Sequence, residues 1–178
     1  MNKKSDKLYI ILSAIFIASL VSCNLIFQKF FQIDIWLPFV GTYTFEQSVG
    51  LLPYPITFLV TDIISEIYGI KRANQVVIAG LFASLFMLLI VSAADFVTAA
   101  SWSPVNDAMF SQVFGLSAAA VFASMMAYLF AQFIDVRAFH FWKNLTNGKH
   151  LWLRNNASTV CSQFIDTFSV LFLLCALN

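Results

Sequence analysis

Charged residues are scarce in this chain. They make up 11% of its 178 residues, whereas hydrophobic residues make up 60%. An ordinary soluble domain is about 25% charged and about 45–50% apolar, so this chain has too little polar surface to cover a globule in water. A soluble enzyme or regulator is therefore excluded. Disorder would need low hydrophobicity and nucleic-acid binding a basic excess, but the net charge is only +1. A lipid bilayer is the expected surrounding.

Motifs for disulfide, metal and nucleotide chemistry are also missing. The three cysteines, Cys23, Cys161 and Cys175, show no paired spacing, which argues against a disulfide framework or a zinc site. His140 and His150 lie in a basic segment without nearby carboxylate or cysteine patterns, and we expect them in an exposed loop. The chain has no glycine-rich phosphate loop and hence no ATP site. We expect no cofactor, no metal and no enzymatic activity.

Long apolar runs are abundant, and they predict five membrane-spanning helices. A helix needs about 20 mostly apolar residues to cross the hydrocarbon core, so a chain of this length has room for roughly five. Pro53 and Pro55 suit the first turn of the second span, and Gly80 with Ser84 gives the third span a small face for close packing. The spans are predicted at about 8–27, 51–68, 73–96, 113–134 and 158–177. The expected fold is all-α, one transmembrane domain over residues 1–178.

The basic residues are distributed unequally across this topology. Nine of the ten lie before the first span or in the second and fourth loops. Lys29 alone lies on the opposite side, which carries four acidic residues. Cytoplasmic loops are enriched in Lys and Arg, so the N-terminus and the loop 135–157 are predicted to be cytoplasmic.

Carboxylates and amides inside the spans are the candidate functional groups. Asp62 and Glu66 are four residues apart and thus share one face of the second span. The tetrapeptide Gln-Phe-Ile-Asp occurs at 132–135 in the fourth span and again at 163–166 in the fifth. Each copy presents an amide and a carboxylate side by side on one helix face. Two such faces on consecutive helices could form a polar clasp.

Position along the helices predicts which of these groups meet. Asp62 and Asp166 are each about 12 Å from the inner boundary, so we expect them at one depth and facing one cavity. A charge at a helix centre costs about 2.5–3.5 kcal/mol, and no basic residue lies within a predicted span to offset it. Asp135 and Glu66 are expected nearer the inner interface, where pairing with Arg and Lys of the loops is the alternative to a binding role.

The chemistry of these groups suits a small planar ligand. A carboxylate accepts two parallel N–H donors especially well, and amides both donate and accept in one plane. A guanine-like base, with a ring N–H beside an exocyclic amine, meets this demand. Composition alone leaves an amino acid or a cation open as the ligand.

Three segments then carry a resemblance to a known family. In order and position they resemble the signature segments of the queuosine precursor transporter family, also called the vitamin uptake transporter family. They comprise residues 55–62 with 66–69, residues 132–136, and residues 157–159 with 163–167. Asn24 in the first span also matches a family asparagine.

The resemblance implies a function and a set of site residues. The implied activity is uptake of 7-cyano-7-deazaguanine or its aminomethyl relative, guanine-like precursors of a modified tRNA base, across the bacterial inner membrane. The implied ligand contacts are Asp62, Gln132, Asp135, Gln163, Asp166, Glu66 and Asn24. Members resemble six-helix proteins, so the expectation here is five spans of such a bundle.

Two other functions stay open at this point. A substrate-binding subunit of an ATP-driven vitamin uptake system is also a small six-helix membrane protein without a nucleotide site. An intramembrane aspartyl protease would use Asp62 and Asp166 as its dyad, although the sequence lacks a Gly-x-Gly-Asp context. A homo-oligomer or a separate energising module remains open as a partner.

Overall fold

Helices dominate the structure. The computed structural model describes residues 3–38, 41–115 and 118–177. In chain order the helices are α1 (Lys3–Ile26), α2 (Tyr54–Tyr68), α3 (Ile70–Asp95), α4 (Asp107–Phe114), α5 (Ala118–Leu145) and α6 (Leu151–Leu177). A two-stranded antiparallel sheet, β1 (Phe30–Leu37) and β2 (Gly41–Ser48), lies between α1 and α2. The predicted all-α fold is therefore confirmed, with one small hairpin added.

Three helical segments have the length and hydropathy of membrane spans among the described residues. They are Asp6–Ile26, Val49–Tyr68 and Ile70–Asp95. They correspond to the first three predicted spans. The outward faces of these helices are apolar: Phe82 and Phe86 of α3, for example, are each 66% exposed. Large exposed apolar faces are what a bilayer, rather than water, accommodates.

Helices α5 and α6 lie at the positions of the fourth and fifth predicted spans. That these two helices cross the membrane stays a prediction. Helix α5 has 28 residues and α6 has 27, and either is long enough to cross a bilayer. Val113 and Phe114, predicted to start the fourth span, belong instead to the short helix α4. Residues 116 and 117 of that predicted span lie outside the described residues.

The predicted cytoplasmic loop 135–157 is wrong in extent. Helix α5 continues to Leu145 and α6 begins at Leu151, so the connection is only residues 146–150. The helices continue because their residues still pack inward, as the fully buried Phe139 shows. His140 consequently lies in α5, half-buried, with Nδ1 3.0 Å from a backbone carbonyl oxygen, whereas His150 lies exposed in the connection.

Small residues let α1 and α3 pack closely. A Cβ atom added to Gly80 would lie 2.6 Å from Cε1 of Phe16 and 2.9 Å from Cδ2 of Leu20. Ser84, one turn further along α3, is 1% exposed. The small face predicted on the third span is therefore the face on which α1 packs.

Helix α2 begins and ends at residues that suit its boundaries. Pro53 precedes its first residue and Pro55 lies in its first turn, where a missing N–H costs no helical hydrogen bond. Gly69 alone separates α2 from α3, with φ 82° and ψ 168°, a conformation that favours glycine. The two helices are thus joined by one residue.

The hairpin was not predicted from the spans. Its register pairs Gln32 with Glu46 and Asp34 with Thr44 on one face, and it pairs apolar residues such as Ile33 and Phe45 on the other. Polar and apolar residues alternate over residues 31–35 and 42–46, a pattern typical of strands, although most of the hairpin is exposed. The end of the helix bundle where α1 ends, the hairpin lies and α2 begins is called the hairpin end below.

Candidate functional site

A cavity of about 440 Å³ opens between the helices at the hairpin end. Volumes of about 300–1,000 Å³ are typical of sites for small ligands. Most of its lining is apolar, and it includes Leu20, Val77 and Met125. Polar lining groups come from five helices and from the end of β2. They include Asn24 of α1, Gln47 and Ser48 of β2, Tyr54 of α2, Ser84 of α3, Tyr128 of α5, and Gln163, Asp166 and Thr167 of α6.

Asp166 is the charged group of this cavity. The Tyr54 hydroxyl donates a hydrogen bond to its Oδ2. Its Oδ1 is buried and accepts no hydrogen bond from the described residues. Gln163 lies one turn earlier on α6 and also lines the cavity. One carboxylate oxygen is therefore bonded within the protein, and the other has no donor in the described part of the chain.

Asn24 and two tyrosines also line the cavity. The Asn24 Nδ2 donates to Ser84 Oγ at 3.4 Å, which orients the amide. The Tyr54 and Tyr128 rings meet edge to face with centroids 5.6 Å apart, and Phe58 packs against Tyr54 at 5.2 Å. Aromatic rings fixed in this way offer a planar ligand an apolar surface.

Gln132 lies behind the cavity and is 0% exposed. Its Oε1 accepts a hydrogen bond from the Thr61 hydroxyl at 3.2 Å, and its Nε2 donates to the Tyr128 hydroxyl at 2.9 Å. Both ends of the amide are thus bonded to protein. Gln132 orients Tyr128, and it is not among the cavity-lining residues.

Asp62 and Asp135, called the acid pair below, meet in the interface of α2 and α5. Asp62 is 2% exposed and Asp135 is 0% exposed, and their carboxyl groups lie within hydrogen-bonding range of each other. Oδ1 of Asp135 accepts a hydrogen bond from the Ser162 hydroxyl of α6 at 3.0 Å. Neither oxygen of Asp62, nor Oδ2 of Asp135, accepts a hydrogen bond from a donor in the described part of the chain.

Glu66, one turn beyond Asp62, forms two ion pairs. Its Oε2 lies 2.9 Å from Nζ of Lys143 and 3.3 Å from Nη1 of Arg154. Arg154 is only 2% exposed, and its guanidinium stacks over Phe139 at 5.3 Å from the ring centroid. The loop residues Lys71, Arg72 and Arg137 were the expected alternative partners of Glu66, but the two ion pairs come from α5 and α6 instead.

No salt bridge joins Asp62 to a basic residue in the described part of the chain, but a buried cation lies in the same cluster. The guanidinium of Arg154 acts electrostatically on the Asp62 carboxyl. The predicted fifth span starts at Ser158, which places Arg154 in the predicted cytoplasmic loop. Helix α6 begins at Leu151, so Arg154 lies one turn inside it and points into the helix interface.

The prediction that Asp62 and Asp166 share one depth and one cavity is wrong. Asp166 contacts Tyr54, which lies eight residues, or about 12 Å, before Asp62 on α2. Asp62 meets Asp135 and is not among the residues that line the cavity. Depth had been counted from assumed helix ends, and α6 extends seven residues beyond the assumed one.

The seven predicted ligand contacts therefore fall into two groups with one residue between them. Asn24, Gln163 and Asp166 line the cavity. The acid pair and Glu66 form a separate buried cluster, and Gln132 lies between the two.

Several polar residues of these sites were not singled out as ligand contacts from the sequence. They are Tyr54, Ser84, Tyr128, Lys143, Arg154 and Ser162. One usable signal is the stripe of small polar residues on α2, where Thr57, Thr61 and Ser65 recur every four residues and are all buried. A polar stripe of this kind on an apolar helix marks the face that meets other helices.

Comparisons with known proteins give one family and several relatives. A family model described as "Putative vitamin uptake transporter" matches residues 48–177. A protein of Bacillus subtilis strain 168 named "Probable queuosine precursor transporter" is 30% identical over 130 residues, which is 72% of this chain and 56% of the relative. A protein of Escherichia coli K12 named "Queuosine precursor transporter" is 27% identical over 134 residues, 75% of this chain and 58% of the relative.

A third relative matches more of this chain. A protein of Haemophilus influenzae Rd named "Probable queuosine precursor transporter" is 24% identical over 170 residues, 94% of this chain and 69% of the relative. The chain spans just over half the length of the first two relatives. No solved structure gives a significant match. The family match contains both copies of the Gln-Phe-Ile-Asp tetrapeptide and all of α2.

Proposed function

Because the chain belongs to the vitamin uptake transporter family, we propose that it carries a queuosine precursor across the bacterial inner membrane. The proposal draws on the names of the three relatives and on the apolar helices of this chain. The observation that carries it is the cavity, where one Asp166 oxygen is buried without a donor. An unsatisfied buried acceptor is costly, and a ligand N–H would satisfy it.

The proposed ligand is 7-cyano-7-deazaguanine or its aminomethyl relative. Both are guanine-like and present a ring N–H beside an exocyclic amine. Asp166 accepts these N–H groups, since a carboxylate suits paired donors in one plane. Gln163 and the side-chain carbonyl oxygen of Asn24 serve the remaining polar edge. The rings of Tyr54 and Tyr128 pack against the face of the base.

The other predicted contacts take different positions in this proposal. Gln132 positions Tyr128 rather than touching the ligand. Asp62, Asp135 and Glu66 lie outside the cavity lining, and they would contact a ligand only if the cavity extended toward them.

The proposed orientation places the end opposite the hairpin in the cytoplasm. This end, called the basic end below, is where α2 ends and the connection 146–150 joins α5 to α6. Lys71, Lys143 and Arg154 lie near it. Basic residues are retained on the cytoplasmic side, so the cavity faces the exterior in this orientation.

An uptake assay tests the proposed function. The chain is expressed in a bacterial strain that can neither make nor import queuosine precursors. We expect labelled 7-cyano-7-deazaguanine to accumulate and queuosine to appear in tRNA. Asp166→Asn abolishes this uptake, whereas Phe86→Leu, on the exposed face of α3, does not. If the purified chain neither binds nor takes up either precursor, the proposal fails.

The same assay separates a self-sufficient carrier from a substrate-binding subunit. Uptake is measured with and without a protonophore, in strains that contain or lack ATP-driven vitamin modules. A carrier is stopped by the protonophore and is indifferent to the modules. Uptake that disappears with the modules would instead assign the chain to the ATP-driven class.

A further inference from the structure

The acid pair lies apart from the cavity and has no role in the ligand contacts proposed above. We propose that Asp62 and Asp135 bind one shared proton and release it toward the basic end, so that substrate uptake is driven by a proton gradient. The coupling of the proton to uptake rests on the proposed uptake function. Binding of the proton itself can be tested without any substrate.

The charge balance of the cluster calls for one proton. Three carboxylates, those of Asp62, Glu66 and Asp135, face two cations, those of Lys143 and Arg154. The cluster therefore has a net charge of −1 when every group is ionised. An unbalanced buried charge is expensive, and one added proton makes the cluster neutral.

Hydrogen bonding places that proton on the acid pair. Two ionised carboxylates are acceptors only, so they cannot bond to each other. Among the described residues, both oxygens of Asp62 and Oδ2 of Asp135 have neither a hydrogen-bond donor nor an ion pair, and the two carboxyl groups lie close enough to share a proton. A single proton on either carboxyl supplies the missing donor. Glu66 differs because its Oε2 is held by two cations.

Other helices that pack on α2 also bear on the acid pair: among their described residues, those of α3 contribute no cation to it, and those of α6 contribute one hydroxyl donor and Arg154. The Arg72 guanidinium of α3 lies 5.2 Å from the centroid of the Tyr9 ring of α1, so this cation is directed away from the acid pair. The Ser162 hydroxyl of α6 donates a hydrogen bond to Oδ1 of Asp135 at 3.0 Å, whereas the Ser158 hydroxyl donates to the backbone carbonyl of Asn155. Arg154 is the cation that acts on Asp62, and its Nε has no hydrogen-bond partner among the described residues.

A proton suits this site better than a metal ion. No group of three or more His, Cys, Asp or Glu side chains that could hold a metal is found among the described residues. Only two carboxyl groups converge, and the guanidinium of Arg154 acts on one of them. A fixed positive charge at this position opposes a second cation but leaves a neutral carboxyl undisturbed.

Polar groups connect the cavity to the acid pair along the interface of α2 and α5. From the cavity, the Tyr128 hydroxyl bonds to Gln132, and Gln132 bonds to Thr61, which adjoins Asp62 in the chain. In the proposed step, an O–H bond of a hydronium ion in the cavity breaks, which leaves water, and an O–H bond forms on the acid pair. That bond breaks when the proton passes to water at the basic end, where the side chain of Glu66 is one-third exposed. No electron is transferred.

Infrared spectroscopy of the purified, substrate-free chain tests for the proton. At neutral pH we expect a carbonyl stretch of a protonated carboxyl group, which shifts when the solvent is exchanged for D₂O. Asp62→Asn and Asp135→Asn should each remove the acid-pair band completely. Asp34→Asn, on the exposed hairpin, is the matched control and should retain it. A band that persists undiminished in both acid-pair variants would overturn the proposal.

Both variants should fold, because Asn resembles the protonated carboxyl in shape and charge. Asp62→Glu provides a second check, since it keeps a titratable group and should keep a band. If Asp62→Asn elutes as an aggregate while Asp62→Glu is monodisperse and keeps the band, the shared-proton proposal is supported, whereas a monodisperse Asp62→Glu protein without a band contradicts it. A monodisperse Asp62→Asn protein with the full band contradicts it.

Transport in proteoliposomes then tests the coupling. With one coupled proton, a gradient of one pH unit sustains about a tenfold accumulation of a neutral precursor. Asp62→Asn should lose this accumulation and retain exchange of labelled for unlabelled precursor. Accumulation that persists in the variant, or that follows a sodium gradient in the wild type, refutes proton coupling. If the wild type exchanges no precursor at all, the proposed function fails while the infrared result still stands.

Discussion

The hydroxyl of Tyr54 donates a hydrogen bond to Oδ2 of Asp166, 112 residues away in the sequence. This bond joins the first turn of α2 to the middle of α6 at the wall of the cavity. It fixes one oxygen of the carboxylate, while the other accepts no hydrogen bond from the described residues. In the proposed site, Tyr54 orients the carboxylate and Asp166 binds the ligand.

Replacing the carboxylate tests recognition directly. Asp166→Asn exchanges one acceptor oxygen for a donor while shape and volume barely change. A lost charge-assisted hydrogen bond costs about 1.5–3 kcal/mol, so affinity for the deazaguanine should fall roughly 10- to 150-fold in isothermal titration. Phe86→Leu is the control and should bind as the wild type does. Unchanged affinity in Asp166→Asn would show that this carboxylate does not recognise the ligand.

Removing the orienting hydroxyl should have a smaller effect. Tyr54→Phe keeps the ring for packing and loses only the donor to Asp166. One neutral hydrogen bond contributes about 0.5–1.5 kcal/mol, so ligand affinity should fall roughly 2- to 10-fold. Tyr43→Phe on the exposed hairpin removes a hydroxyl far from α6 and serves as the matched control. A loss as large as that of Asp166→Asn would mean that Tyr54 itself bonds to the ligand.

Close packing of α1 on α3 gives a stability prediction. Gly80→Ala places a methyl group against Phe16, which is fully buried and cannot move aside without disturbing its neighbours. Overpacking of this kind costs about 1–3 kcal/mol. The midpoint of unfolding by SDS in mixed micelles should drop accordingly. Ala79→Val, at the exposed neighbouring position, adds more volume and should leave the midpoint nearly unchanged.

The buried guanidinium of Arg154 gives a coupled prediction. Arg154→Met removes the buried cation that pairs with Glu66 and acts on Asp62. Breaking a buried ion pair costs about 3–5 kcal/mol. Combining Arg154→Met with Asp62→Asn should restore part of the loss, since both changes together preserve the charge balance. SDS unfolding of the two single variants and the double variant measures the coupling. Arg137→Met, exposed on α5, is the control. Simple additivity would argue against an interaction between Arg154 and Asp62.

The orientation can be measured by cysteine labelling in a background where the three native cysteines are replaced. Ser101→Cys lies beyond the end of α3 at the hairpin end, and Lys149→Cys lies in the connection between α5 and α6. An impermeant maleimide added to intact cells should label the first probe, and it should label the second only after permeabilisation. The reverse pattern would invert the proposed topology.

Much of the helical architecture follows from hydropathy alone. The helices α1, α2 and α3 lie where their apolar runs predict them, because a span must be long and uncharged. The small face of α3 is equally local, since it depends on two residues one turn apart. Helix ends beyond the hydrocarbon core are less visible in hydropathy. This is why the start of α6 was placed at Ser158 rather than at Leu151.

The composition of the site was predictable, but its arrangement was not. Residues with carboxylates and amides stand out in an apolar chain, and all seven lie in helices. Which of them meet depends on how far each helix is shifted along its neighbours, and this shift is set by packing over many side chains. A shift of two turns decides whether Asp62 faces Asp166 or Asp135. Partners such as Tyr54 and Arg154 depend on the same shift.

Gly69 is the one residue between α2 and α3, so it is the point about which α2 would rotate relative to α3. Tyr54 lies about 22 Å and Asp62 about 10 Å from Gly69 along the helix. Any rotation of α2 about Gly69 therefore displaces the cavity wall roughly twice as far as it displaces the acid pair. A tilt small enough to keep Asp62 beside Asp135 can still be large enough to separate the Tyr54 hydroxyl from Asp166.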